Sequence, residues 1–168
     1  MANAKITALT ALTTVADEDL LPIVDDPAGT PVTKKITRAN FFNADVDMQD
    51  KVLTRPNFKD YGETVNAIGS TGGGTQDIDL TLGNVVTATV DTSANTFTFS
   101  NPSASGTACS FTLILTNGGS QTVNWPASVD WAGAAAPTLT AAGRDVLTFT
   151  TVDGGTIWYG FLAGANMS

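Results

Sequence analysis

The chain has 168 residues, 42% of them hydrophobic, with 16 glycines, one cysteine, no histidine and a net charge of −8. A single cysteine excludes an intrachain disulfide framework, and without histidine neither Ser–His–Asp nor Cys–His machinery can be assembled. No apolar run approaches the roughly 20 residues of a membrane span.

The charge is uneven. Lys5, Lys34, Lys35, Arg38, Lys51, Arg55 and Lys59 lie early, and Arg144 is the one base beyond them. An acidic C-terminal part with no basic stripe argues against a nucleic-acid partner. The threonine- and glycine-rich composition, poor in long charged side chains, favours strands and tight turns over helices.

Residues 1–42 form the first segment. Leu20, Leu21, Pro22, Ile23 and Val24 predict a short strand. Asp25 to Pro31 is a loop punctuated by Pro27 and Gly29. Val32 to Ile36, with Lys34 and Lys35, predicts a second strand pairing back. Thr37 is a candidate N-cap for a helical turn reaching Phe41 and Phe42. A unit this small needs partner surface.

Residues 43–75 read as a connector. Asp45 to Leu53 suggests a short helix ended by Pro56. Gly69 to Thr75 reads as a glycine-rich spacer. It lacks the Lys-Ser/Thr that closes a phosphate loop.

Residues 76–168 read as all-β. Strands are expected at Gln76–Leu82, Val85–Asp91, Thr96–Ser100, Ser110–Thr116, Gln121–Trp125, Val146–Val152 and Thr156–Leu162. Phe97 and Phe99 share one face, as do Phe111, Leu113 and Leu115. Ile114 lies on the opposite face, which suggests that this face is covered too. Asn117-Gly-Gly and Asp153-Gly-Gly are hairpin signatures, since their turns need positive φ. Seven short strands with these turns predict an antiparallel β-sandwich of jelly-roll type, mainly β, preceded by an extended N-terminal attachment segment.

Candidate chemistry is sparse. Cys109 reads as a small buried hydrophobe. Asp77 and Asp79 alternate with Ile78 and Leu80, as on the solvent face of an amphipathic strand. No compact loop supplies the several oxygens that a hard cation needs. No catalytic residue, metal ligand or cofactor is assigned. Trp125, Trp131, Trp158 and Tyr159 are candidate subunit or ligand contacts. Trp158 and Tyr159 are adjacent in a strand and must face opposite sides.

Two stretches carry a resemblance. Asp19-Leu-Leu-Pro-Ile-Val-Asp25 and Thr33-Lys-Lys-Ile-Thr37 with Asn40 resemble a segment near the N-termini of tailed-bacteriophage virion proteins. It covers about a quarter of the chain. Asp77-Ile-Asp-Leu-Thr-Leu, Thr96-Phe-Thr-Phe-Ser-Asn-Pro, Thr122-Val-Asn-Trp-Pro and Asp153-Gly-Gly-Thr-Ile-Trp-Tyr-Gly160 resemble a β-domain that ends phage fibres, spikes and other virion proteins. The resemblance implies a non-enzymatic virion structural protein, commonly trimeric. It implies residues 1–42 as the anchor, through Leu20–Val24, Lys34, Lys35, Ile36, Phe41 and Phe42, onto a major capsid protein or a tail- or portal-region protein. The expected place is the virion surface, after synthesis in the host bacterial cytoplasm. A capsid decoration protein or short head fibre is the leading form. A tail fibre binding a host surface glycan is the alternative. A long depolymerase β-helix does not fit this length.

Overall fold

The structure, a computed structural model, describes residues 20–25, 32–37, 48 and 51–167. It is mainly β and divides into two compact units, with the boundary between Asn57 and Phe58.

In the first unit, β1 (Leu20–Asp25) and β2 (Val32–Thr37) pair antiparallel, with Leu20 opposite Thr37 and Asp25 opposite Val32. The two expected strands match this backbone; the loop expected between them lies outside the described residues. The side chains of Leu20, Leu21, Pro22, Ile23, Val24, Lys34, Lys35 and Ile36 lie outside the described residues, as do Phe41 and Phe42. The helix expected over 45–53 lies partly outside them too; Lys51–Leu53 are not helical.

The second unit begins its strands earlier than expected. β3 (Val65–Ser70) and β4 (Gly74–Asp79) form a first pair. β5 (Val85–Thr89) and β6 (Asn95–Ser100) form a second. β7 (Cys109–Thr116) and the short β8 (Val123–Asn124) form a third. The pairs stack in parallel. β3 lies beside β5 and β5 beside β7, while β4 lies beside β6 and β6 beside β8. Val65 thus stands next to Val85 and Val85 next to Thr112. The chain therefore winds three times around one core.

β9 (Val129–Trp131), β10 (Arg144–Thr151) and β11 (Trp158–Met167) complete the unit. β10 pairs antiparallel with both β7 and β11, and β9 runs parallel along the outer edge of β11. The result is a six-stranded sheet, β3-β5-β7-β10-β11-β9, and a three-stranded sheet, β4-β6-β8.

The all-antiparallel jelly roll is corrected here. Only β7–β10 and β10–β11 are antiparallel in this unit; the other ladders are parallel. Period-2 alternation assigns a face to each residue and says nothing about the direction of the neighbouring strand. The Asn117-Gly-Gly turn also behaves differently from expectation. Asn117 takes the left-handed conformation and leads through a 3-10 turn at Gly118–Ser120 into β8, in the other sheet. It is a corner between sheets, not a hairpin. Asp153-Gly-Gly does close the β10–β11 hairpin, with Gly154 and Gly155 at φ 71° and 80°.

Gly69–Thr75, read as a spacer, turns β3 into β4 inside the unit. Its corner stacks on the next one. The Asp91 carboxylate accepts from Ser70 Oγ and Gly72 N–H, and Gly74 N–H donates to Ala94 O. A Cβ at Gly73 would collide with Ser93 Oγ, so this corner needs glycine.

The inward residues of both sheets form one hydrophobic cluster. Ile78 and Phe97 come from the small sheet; Val86, Leu113, Leu115, Leu147, Phe149 and Trp158 come from the large one. Burial of such side chains is the main favourable term in folding.

Candidate functional site

The site is built from the aromatic residues that the sequence singles out. β11 carries Trp158 and Tyr159 in succession, and a strand sends them to opposite faces. Trp158 is 1% exposed and Tyr159 is 42% exposed. Trp158 is a core residue, with Phe99 and Phe111 each 5.5 Å from it in edge-to-face packing.

Trp125 and Trp131 close one end of the same core. Trp125 stacks on Phe97 at 5.4 Å and meets Trp131 edge-on at 5.4 Å. Both indoles lie 5.5 Å from Phe149. Phe149 in turn stacks on Phe111 at 4.8 Å. Such pairs add about 0.5–1.5 kcal/mol each beyond the area they bury. Trp125 and Trp131 are half-buried. The structure therefore brings Trp125, Trp131 and Trp158 into one aromatic cluster and sends Tyr159 to the surface.

The surface around Tyr159 is set by β9 and β11. Tyr159 stands beside Asp130 on β9. Phe161, two residues along β11, shares the Tyr159 face and is 52% exposed. At the sheet edge, Trp131, Ala132, Ala135, Pro137, Phe161 and Leu162 line a shallow apolar depression. Phe161 and Asp130 escaped the sequence reading. Phe161 was legible as the i+2 partner of Tyr159; Asp130 was not, because its three-residue strand has no pattern of its own.

The carboxylates are fixed by hydrogen bonds. Asp77 accepts from Thr98 Oγ1 at 2.7 Å and from Ser100 Oγ. Asp79 accepts from Asn101 Nδ2 and from the Thr81 amide and hydroxyl, which hold its pKa below the ordinary range. Asp77 and Asp79 flank the buried Ile78, in the expected amphipathic alternation. Ser70 and the Gly72 amide lower Asp91 in the same way. The Ile157 amide and Thr151 lower Asp153 within the hairpin.

Asp145 is different, because it is buried. Desolvation pushes its pKa up. Hydrogen bonds from Thr140 N–H (2.6 Å), Thr140 Oγ1 (2.7 Å) and Asn166 N–H (3.0 Å) pull it down further and leave it below its ordinary value. It ties the loop before β10 to the far end of β11. These carboxylates are committed to corners and turns. Among the described residues, no group of three or more acidic, histidine or cysteine side chains could hold a metal ion. Cys109, in its reduced form, is half-buried at the start of β7 and packs against the core.

No protein-family model matches the sequence, and neither a curated protein nor a solved structure is significantly similar to it.

Proposed function

We propose that this chain is a bacteriophage virion structural protein without enzymatic activity. Residues 1–42 attach it to the particle. The β-unit, a two-layer body in this reading, is displayed outward as a homotrimer. The form favoured is a capsid decoration protein or short head fibre.

One observation carries the reading. The two phage-like words, Asp19–Asp25 and Thr33–Thr37, fall over their described residues on β1 and β2, which pair as a two-stranded sheet. An isolated pair of strands is marginal in water and gains stability from partner surface. That suits a segment whose work is docking on a capsid or tail-region protein. The absence of histidine from the sequence and the structural use of the carboxylates are in keeping with a non-enzymatic role.

The exposed Tyr159 and Phe161 beside Asp130 favour a second reading, a tail fibre whose β-unit binds host glycan. Aromatic rings offer apolar contact to sugar faces, and a carboxylate accepts from hydroxyls.

Quantitative mass spectrometry of purified particles, scaled to the major capsid protein, separates the two. Hundreds of copies per particle are expected for decoration. A few to a few dozen would move the protein to the tail or a single vertex and favour receptor binding. Absence from the particle would end both readings.

A further inference from the structure

The two sheets present opposite kinds of surface to the outside. The three-stranded sheet shows Thr75, Asp77, Thr96, Thr98 and Asn124, all exposed and polar. Asp77–Thr98 and Thr96–Asn124 are linked by hydrogen bonds across the strands. This is an ordinary wet face.

The six-stranded sheet is the reverse. One row across five strands reads Val65, Val85, Thr112, Thr148, Phe161. The next reads Ala67, Thr87, Ile114, Val146. Neither row contains a charge. Val65 and Phe161 are more than half exposed. The rows at the two ends carry one charge each, Asp130 beside Tyr159 and Arg144 beside Thr116, and Glu63 borders Thr112 and Thr148, so the face carries two acids and one base.

Strands about 4.8 Å apart with a rise of about 3.3 Å per residue give this face roughly 500 Å². That is in the range of the largest patch on a typical monomer, about 300–600 Å², and falls short of the ~800 Å² that each partner of a standard interface buries, so a stable contact needs the rim as well.

We propose that the outward face of the six-stranded sheet is the surface on which further copies of this chain associate. The charge distribution selects this occupant. Each copy carries −8, so copies meeting through an acidic surface repel each other. A face with so little net charge is where identical chains can meet with little like-charge repulsion. A strongly basic or acidic partner finds no complement there. The inference deepens the virion-protein reading, on which it rests only for the number of copies, three.

The test is the oligomeric state of the full chain in solution, by sedimentation velocity over a wide concentration range, with hydroxyl-radical footprinting of Tyr159 and Phe161. A closed oligomer is expected, with both rings increasingly protected as concentration rises. Ile114→Glu, Phe161→Glu and Arg144→Glu should each weaken association at least about tenfold, because each places an uncompensated charge in a desolvated contact. Circular dichroism reports whether each variant is folded. Should Ile114→Glu fail to fold, the exposed Phe161 and Arg144 positions still decide.

A monomer at every concentration would overturn the proposal. If its rings were protected throughout, they would be covered by the chain's own residues; if reactive, the face would be left to another protein. An oligomer unaffected by the folded variants would also overturn it, by placing the contact elsewhere. None of these results bears on particle copy number, so the broader reading stands or falls separately.

Discussion

The indole of Trp131 occupies the space that a side chain at Gly160 would fill. A Cβ there would stand 2.8 Å from Trp131 Cζ3 and 2.9 Å from Cε3. The two residues are register partners on β9 and β11. Glycine at 160 thus lets a three-residue edge strand deliver its Trp onto Phe149 and Trp125. Gly160→Ala should push the ring outward and cost about 1–3 kcal/mol, the usual range for overpacking. Urea unfolding gives the loss, and a red shift in tryptophan emission gives the displacement. An unchanged midpoint and spectrum would mean that Trp131 is not seated there.

The parallel winding can be tested where its first turn leads into the second. Gly83 has φ 139°, and a Cβ on it would lie 2.3 Å from Thr64 O. The backbone of Gly83 thus passes close to Thr64, where the start of β3 lies against the approach to β5. Gly83→Ala combines a backbone conformation unfavourable to alanine with a collision against backbone, and should destabilise by roughly 1–3 kcal/mol. Amide exchange should quicken first in Val65–Ser70, with the β10–β11 hairpin keeping its protection. Uniform loss of protection would argue against a separable first turn.

These two glycines also mark where the sequence is and is not readable. β6, β7 and the β10–β11 hairpin are legible because Phe97/Phe99, Phe111/Leu113/Leu115 and Asp153-Gly-Gly each encode a local rule. β3 is not, since Asn66, Gly69 and Ser70 interrupt any alternation around Val65 and Ile68. β9 is too short to carry a pattern, and parallel partners 19 or more residues apart leave no local trace. For the aromatic residues, opposite faces for Trp158 and Tyr159 follow from strand geometry alone. That Trp125 and Trp131 meet Phe149 depends on a long-range register that no spacing displays.

Acid should loosen the molecule through Asp145. Its folded pKa is lowered, so the unfolded chain binds the proton more readily. The resulting stability is fully present above the unfolded carboxylate value, about 3.9. It is lost as pH falls through the lowered folded value. Asp79, Asp91 and Asp153 are shifted in the same direction and add to the trend. The melting temperature should be nearly flat from neutral pH to about 5 and fall steeply below about 4. Asp145→Ala leaves the Thr140 and Asn166 amides without their acceptor and should cost about 2–3 kcal/mol. It should also flatten the acid limb. An acid limb as steep in the variant as in the parent would remove Asp145 from the account.

Adjacent substitutions on β11 separate core from surface. Trp158 is enclosed by Phe99, Phe111 and the hairpin, with Gly155 leaving room for its indole nitrogen edge. Trp158→Ala should cost about 3–5 kcal/mol, as for other large aromatic truncations in a core. Tyr159 stands on the outward face, 42% exposed, with Thr150 and Asp130 as its lateral neighbours. Tyr159→Ala should change the stability of an isolated copy by less than about 1 kcal/mol. Its effect should be on association instead, because the ring belongs to the face assigned to neighbouring copies. Unfolding at low concentration measures the first quantity and sedimentation the second. A large stability loss for Tyr159→Ala in the monomer would show that the ring is packed within its own chain, and the outward face would lose one of its two exposed aromatic residues.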